Sequence, residues 1–248
     1  MPPLTVRYVE LPSPGPPGCL AWEEALLEAV NDGAEEVLWF WESPVPFVVV
    51  GYGQRRAVES RLDACAALGI PVLRRCSGGG TVLQGPGCLN YGLALRLDPG
   101  GELDTITGTN RAVLSRVARA LGPLIGVPVS MEGHTDLTRT GPDGSPRKFS
   151  GNAQRRCRNA LMVHGTLLIA LDLDLLDQVL PAPSWEPTYR AGRTHRDFLI
   201  NTGLDREAVR AALKAEWGVG QPLDPLPWDR QRQAMADRFG HEEWHGRR

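Results

Sequence analysis

Lysine is nearly missing from this chain. Of its 27 basic residues only two, Lys148 and Lys214, are lysine; all others are arginine. The formal net charge is −2, so no global pull toward nucleic acid or an anionic membrane is expected. Long apolar runs are missing as well: nothing approaches the ~20 residues of a membrane span. The proline-rich start, residues 1–17, has no basic segment followed by an apolar core, so no secretory signal is expected there. The five cysteines, at 19, 65, 76, 88 and 157, form no CxxC pair. That argues against a disulfide framework or a zinc site and for a reduced, cytoplasmic setting. GxxxxGK[ST], GxGxxG opening a helix, HExxH and GxSxG are all missing too, which excludes the commonest hydrolase and dinucleotide chemistries.

What is present is ordinary in bulk. The 248 residues, 42% apolar and 23% charged, fit one large domain with a conventional core. Thr5–Leu11 reads as a strand. Leu20–Val30 reads as a helix, with Trp22, Ala25, Leu26 and Ala29 on one face. Glu35–Glu42 and Phe47–Gly51 read as strands, Glu59–Leu68 as a helix, and Ile70–Leu73 and Thr81–Leu83 as strands. From Cys88 to Leu97, leucines and Tyr91 alternate with other residues at the period of a half-buried strand. Thr109–Leu121 reads as a helix burying Val113, Val117, Ala120 and Leu121. Val127–Met131, Thr135–Thr138 and Arg147–Gln154 read as strands. Leu161–Ala170 reads as a strand interrupted at His164-Gly165-Thr166. Leu173–Leu180 is a short helix, residues 181–196 are irregular, and Asp205 can cap a last helix to about Trp217. Strands outnumber helices and lie close together. This predicts an α+β fold with a mixed, largely antiparallel sheet packed with α-helices.

Polar clusters interrupt this pattern at Gly51–Gln54, Arg74–Gly80, Arg147–Gln154 and His164–Thr166. In the second, two arginines, Ser77 and three glycines stand between two strands. Glycine fits where something approaches the main chain closely, and arginine forks suit carboxylate and phosphate. The stretch reads either as a loop holding an anion against bare backbone or as a glycine turn flanked by surface arginines. Lys148, kept in an arginine background, points to work that a compact ammonium does and a planar guanidinium does not.

Together these stretches resemble the lipoate–protein ligase family, which shares its catalytic fold with biotin–protein ligases and octanoyltransferases. The resemblance is carried by Arg74-Arg75-x-Ser77-Gly78-Gly79-Gly80-x-Val82, Gly87-x-Leu89-Asn90-Tyr91, Lys148-x-Ser150-Gly151-Asn152-Ala153-Gln154 and His164-Gly165-Thr166-Leu167-Leu168. The helix from Leu20 and the Gly51-Tyr52-Gly53-Gln54 turn also look like early motifs of the family. The resemblance implies a biotin/lipoate ligase catalytic-domain fold and a two-step reaction. Lipoate and ATP, with Mg2+, give lipoyl-adenylate; the acyl group then passes to a lysine of a lipoyl-accepting domain, a 2-oxoacid dehydrogenase E2 or a glycine-cleavage H-type protein.

By the same resemblance, Lys148 contacts the acyl-adenylate carbonyl and α-phosphate. Arg74 and Ser77–Gly80 line the acyl pocket, and Arg75 orders the loop. Asn90, Ser150, Gly151, Asn152, Ala153, His164, Gly165 and Thr166 belong to the substrate and nucleotide site, with Asp136 near the adenine or magnesium. The residues themselves leave His164 open as a plain strand histidine, Asn90 and Tyr91 as core residues, and Cys76, Cys88 and Cys157 as small buried residues.

Two departures stand out. Gln84 occupies a position where the family often has histidine, so no role carries over. Residues 1–219 cover the catalytic domain and 220–248 a tail, so a separate accessory-domain protein is an expected partner. Octanoyltransfer from acyl carrier protein is the alternative. It needs a nucleophilic cysteine facing the lysine; none lies between Gly133 and Lys148 or after Cys157, which leaves Cys76 and Cys88. A non-catalytic lipoyl- or biotin-binding homologue is the third reading, and Lys148 argues against it.

Overall fold

The computed structural model describes residues 6–247, so Thr5, where the first strand was expected to begin, lies outside the described residues. The elements run β1 (Arg7–Glu10), α1 (Pro16–Asn31), β2 (Val37–Trp41), β3 (Phe47–Val50), α2 (Arg56–Glu59), α3 (Leu62–Ala67), β4 (Val72–Arg74), β5 (Val82–Gln84), β6 (Cys88–Arg96) and α4 (Ile106–Ile125). There follow β7 (Val129–Glu132), β8 (Asp136–Thr140), β9 (Pro146–Arg156), β10 (Ala160–Leu168), α5 (Leu173–Val179), α6 (His195–Phe198), α7 (Arg206–Glu216), α8 (Trp228–Ala234) and α9 (Glu242–Gly246).

The strands form a seven-stranded sheet, ordered β1-β2-β6-β10-β9-β8-β7, and a three-stranded sheet, β4-β3-β5. Among the described strands only β1–β2 and β3–β4 pair parallel; the other ladders are antiparallel. This is the α+β architecture, mixed and largely antiparallel, that the strand spacing predicts.

Helices cover both faces of the larger sheet. On one face, Trp22 and Leu26 of α1 pack with Trp39, Ala94 and Met162. On the other, Val113, Val117 and Leu121 of α4 and Val209 and Leu213 of α7 pack with Leu93, Leu95 and Val163. Each buried valine, leucine or methionine side chain here contributes roughly 1.5–3 kcal/mol. β6 is therefore buried from Cys88 to Leu95 rather than half-buried. Its alternation separates two cores, not core from solvent. Helix α1 is covered by α8 as well, and Trp22 meets the Trp228 ring edge-on at 4.7 Å between centroids.

Four local expectations are corrected. The helix expected over Glu59–Leu68 is interrupted: α2 ends at Glu59 and α3 begins at Leu62, because Ser60 turns extended (φ −143) and Arg61 N–H donates to Val179 O. Helix α4 starts earlier, where Thr105 caps Gly108 N–H at 3.0 Å, and stops at left-handed Gly126. β10 is continuous through His164-Gly165-Thr166, because β6 and β9 pair with it on both sides. Its polar residues mark a cavity wall, not a break. The segment expected to be irregular, 181–196, contains a 3-10 turn at Thr188–Arg190 and the start of α6. Beyond residue 219 the chain packs α8 on α1 and α9 beside β4. Among the described residues no helix is long and apolar enough to cross a membrane.

Candidate functional site

A cavity of about 460 Å³ opens between the smaller sheet and one side of β6, β10 and β9. The segment from Leu180 to Leu199 closes one side.

The glycine loop forms one wall, and its two arginines divide the work. Arg75 reaches the cavity. Its guanidinium curls back onto its own loop, donating to Ser77 Oγ at 3.0 Å and to Gly78 O and Gly80 O at 2.5 and 2.8 Å. Burial pulls it down to about 10, against the pull of Glu23, and it remains a cation at neutral pH. Arg74 does not line the cavity. It is fully buried behind the loop, where it donates to the carbonyls of Gly51, Tyr52 and Gln54. The expected pocket role of Arg74 is therefore corrected: alternation along β4 sends it to the far side. Gly79 and Gly80 line the cavity, whereas Ser77 and Gly78 do not. Gly79 has φ +88, and Gly51 abuts its carbonyl so closely that a Cβ there would lie 2.1 Å away.

Next to the loop stands His164 of β10, also in the wall. Its Nδ1 lies 2.8 Å from Glu23 Oε2 and its Nε2 2.6 Å from Ser77 Oγ. Trp41 Nε1 donates to the other Glu23 oxygen at 3.1 Å. Acid, histidine and serine are in line, as in a hydrolase triad. Ser77, however, is 1% exposed and turned from the cavity, so its hydroxyl locks the wall and offers no nucleophile. Deeper along the strands, Gln84, Asn90 and Thr166 form a closed polar set. Gln84 Nε2 donates to Asn90 Oδ1 at 2.8 Å and to Thr166 Oγ1 at 2.6 Å, and Asn90 Nδ2 returns a bond to Gln84 Oε1 at 2.9 Å. All three line the cavity.

Lys148 faces this wall from β9. Its placement depends on a bulge: β8 pairs Leu137 with Ser150 but Thr138 with Lys148, skipping Phe149. Strict alternation would put Phe149 on the cavity face with Gly151. The extra residue sends Phe149 into the core with Leu137 and turns Lys148 onto the cavity. Gly151 leaves room for it, since a Cβ there would stand 2.8 Å from Lys148 Nζ. Nζ pairs with Asp136 Oδ1 at 2.8 Å, and Tyr189 Oη donates to Asp136 Oδ2 at 2.8 Å. Burial first, then the Asp136 charge, pushes the Tyr189 phenol up. Asn152, Ala153 and Gly165 line the same side, while Ser150 is fully buried behind it. Asn152 accepts from Tyr91 Oη at 2.6 Å.

Sequence reasoning missed Glu23, Trp41 and Tyr189. Glu23 carried little signal, because Glu24 and Glu28 share its helix and nothing local sets one of the three apart. Tyr189 carried none. Among the described residues no cluster of three or more His, Cys, Asp or Glu side chains is arranged to hold a metal. None of the five cysteines lines the cavity. Burial pushes the Cys76 and Cys88 thiols up to about 12 and raises Cys19, Cys65 and Cys157 as well.

Comparison with known proteins matches residues 16–198 to the family described as lipoyl protein ligase A/B catalytic domain. Octanoyltransferase LipM of Symbiobacterium thermophilum is 30% identical over 246 residues, covering 91% of this chain and 81% of that one. Lipoate-protein ligase A subunit 1 of Thermoplasma acidophilum is 27% identical, covering 78% and 75%. Among solved structures, the bi-partite lipoate protein ligase of T. acidophilum, described together with its E2 lipoyl domain, superposes with a TM-score of 0.80 at 25% identity. That match covers 98% of this chain and 96% of the other.

Proposed function

Since the chain belongs to the lipoyl protein ligase A/B catalytic-domain family, we propose that it is the ATP-dependent member of that family, a lipoate–protein ligase. The observation that carries this reading is the lysine-bearing cavity without a cysteine. Thioester transfer needs a thiolate facing the substrate. Here every thiol is out of the cavity and driven toward its protonated form by burial.

In the first half-reaction the lipoate carboxylate attacks the α-phosphorus of ATP, the α–β bridging bond breaks, and pyrophosphate leaves. In the second, the acceptor lysine amine attacks the carbonyl carbon of the mixed anhydride, AMP leaves, and the amine proton passes to solvent. Both steps build negative charge on oxygen. In this reading Lys148, which lines the cavity, meets it at the acyl carbonyl and α-phosphate, and the Gly79–Gly80 backbone of the same cavity lets the adenylate come close. The apolar wall of Leu20, Trp41, Val49 and Val82 suits the acyl chain. Mg2+ would arrive with the nucleotide, screening its phosphates, with Asp136, the carboxylate paired with Lys148, on the wall beside them; one carboxylate suits a cation that keeps phosphate and water ligands. The acceptor is a lipoyl-accepting domain, of E2 or H type. A separate accessory protein is a proposed partner, on the analogy of the bi-partite relative.

The test is mass measurement of an acceptor domain incubated with the protein, lipoate or octanoate, and ATP-Mg, alongside pyrophosphate release. Modification is expected only with ATP, and Cys76→Ala, Cys88→Ala and Cys157→Ala variants should retain it. Modification from octanoyl–acyl carrier protein without ATP, lost in one of those variants, would establish the octanoyltransferase reading instead.

A further inference from the structure

The end of the described chain sits against the strand that feeds the glycine loop. β4 is an edge strand, and its outer backbone groups are met by side chains rather than by another strand. Arg74 N–H donates to His245 Nδ1 at 3.0 Å, and Trp244 Nε1 donates to Arg74 O at 2.9 Å. The other imidazole nitrogen, Nε2, lies 3.0 Å from Phe239 O. A carbonyl only accepts, so Nε2 carries the proton and Nδ1 is left to accept from Arg74.

The Arg74 guanidinium extends this contact in two directions. Nη2 donates to His245 O at 3.3 Å and Arg247 O at 2.5 Å. Nη1 donates to Gly51 O, Tyr52 O and Gln54 O at 2.9, 3.1 and 2.8 Å. Arg247 adds a second link, stacked 3.7 Å from the Trp244 ring and 4.2 Å from that of Tyr52. The 51–54 turn then meets the cavity wall. Gly51 abuts Gly79 O, and Gln54 Oε1 accepts from Thr81 Oγ1 at 2.8 Å. Hydrogen bonds thus run from residues 244–247 through Arg74 and the 51–54 turn to Thr81, and Gly79 is held by its close contact with Gly51.

We propose that Trp244 and His245 are positioning residues: they clasp β4 so that Arg74 and the 51–54 turn hold the Gly79–Thr81 wall in its ligand-binding place. What that wall binds rests on the acyl-adenylate reading above; that the clasp holds the wall does not. His245→Leu removes the imidazole that accepts from the buried Arg74 N–H, whereas His245→Asn offers an amide oxygen near the position of Nδ1.

The test compares both variants with the parent at a temperature where melting curves show each folded. His245→Leu is expected to raise KM for lipoate and ATP about tenfold, the scale of one lost buried hydrogen bond, with kcat changed less than about twofold. Amide exchange across residues 77–82 should quicken by about the same factor, and His245→Asn should restore both readouts. If His245→Leu does not fold, Trp244→Phe, which removes the bond to Arg74 O and keeps a ring, is measured in the same way. A variant that melts lower but keeps parental KM values and parental exchange at 77–82 overturns the proposal. The exchange arm needs no catalysis, so a protein without ATP-dependent activity but with quickened loop exchange refutes the ligase reading and not the clasp.

Discussion

Lys148→Ala is expected to lower acyl transfer by about 10²–10³-fold, the usual cost of deleting one preorganised donor to a developing oxyanion. Three observations set that expectation. Lys148 is the cation that the β9 bulge turns into the cavity. Gly151 clears the space its amine occupies. Asp136, held from its other oxygen by Tyr189, keeps the amine at the wall. The fold should lose little, roughly 0–1 kcal/mol, because the lysine side chain is still 23% exposed in its ion pair. Lys148→Arg should fail nearly as badly. It keeps the charge but brings a broad planar fork into a space fitted to one ammonium, in a chain that otherwise uses arginine freely. Transfer assays and thermal melts on both variants check this. Near-parental transfer by Lys148→Ala would remove the lysine from the mechanism.

Gly165→Ala is expected to damage both the sheet and the site. A Cβ at this position would stand 1.8 Å from Asn152 Oδ1 and 2.9 Å from Tyr91 Cε1. Gly165 sits between them, paired with Tyr91 on β6 and with Asn152 on β9. Tyr91 is fully buried and cannot retreat, so the added methyl must break the Tyr91–Asn152 hydrogen bond and push Asn152 toward the cavity. Overpacking of this kind costs about 1–3 kcal/mol, and the displaced amide should raise KM for ATP by about tenfold or more. Adding Asn152→Ala relieves the clash. The double variant should therefore recover much of the melting temperature without recovering the KM. A single Gly165→Ala variant with parental stability and KM would mean that no such close approach is needed.

The sequence alone determined the architecture and the chemistry-bearing stretches. Strand spacing and period-two alternation are local signals, and they located most strands and the main helices. The glycines after Arg75, the glycine–asparagine run after Lys148 and the glycine of β10 are local too, because close backbone approach needs a particular residue type at a particular place. Lys148 stood out by composition, as one of two lysines in a chain that otherwise uses arginine.

Tertiary structure decided which side chains reach the cavity. Adjacent Arg74 and Arg75 look alike in sequence; pairing β4 with β3 sends one behind the wall and the other into it. Alternation would put Phe149 on the cavity face, and one unpaired residue opposite β8 gives the place to Lys148. Glu23 meets His164 across 141 positions of chain, and Tyr189 meets Asp136 across 53, contacts that no local period encodes. The last residues read as a tail, because their partners are the backbone of one edge strand and the guanidinium of Arg74. Such contacts depend on where a distant segment comes to rest, and only the packed chain brings them together.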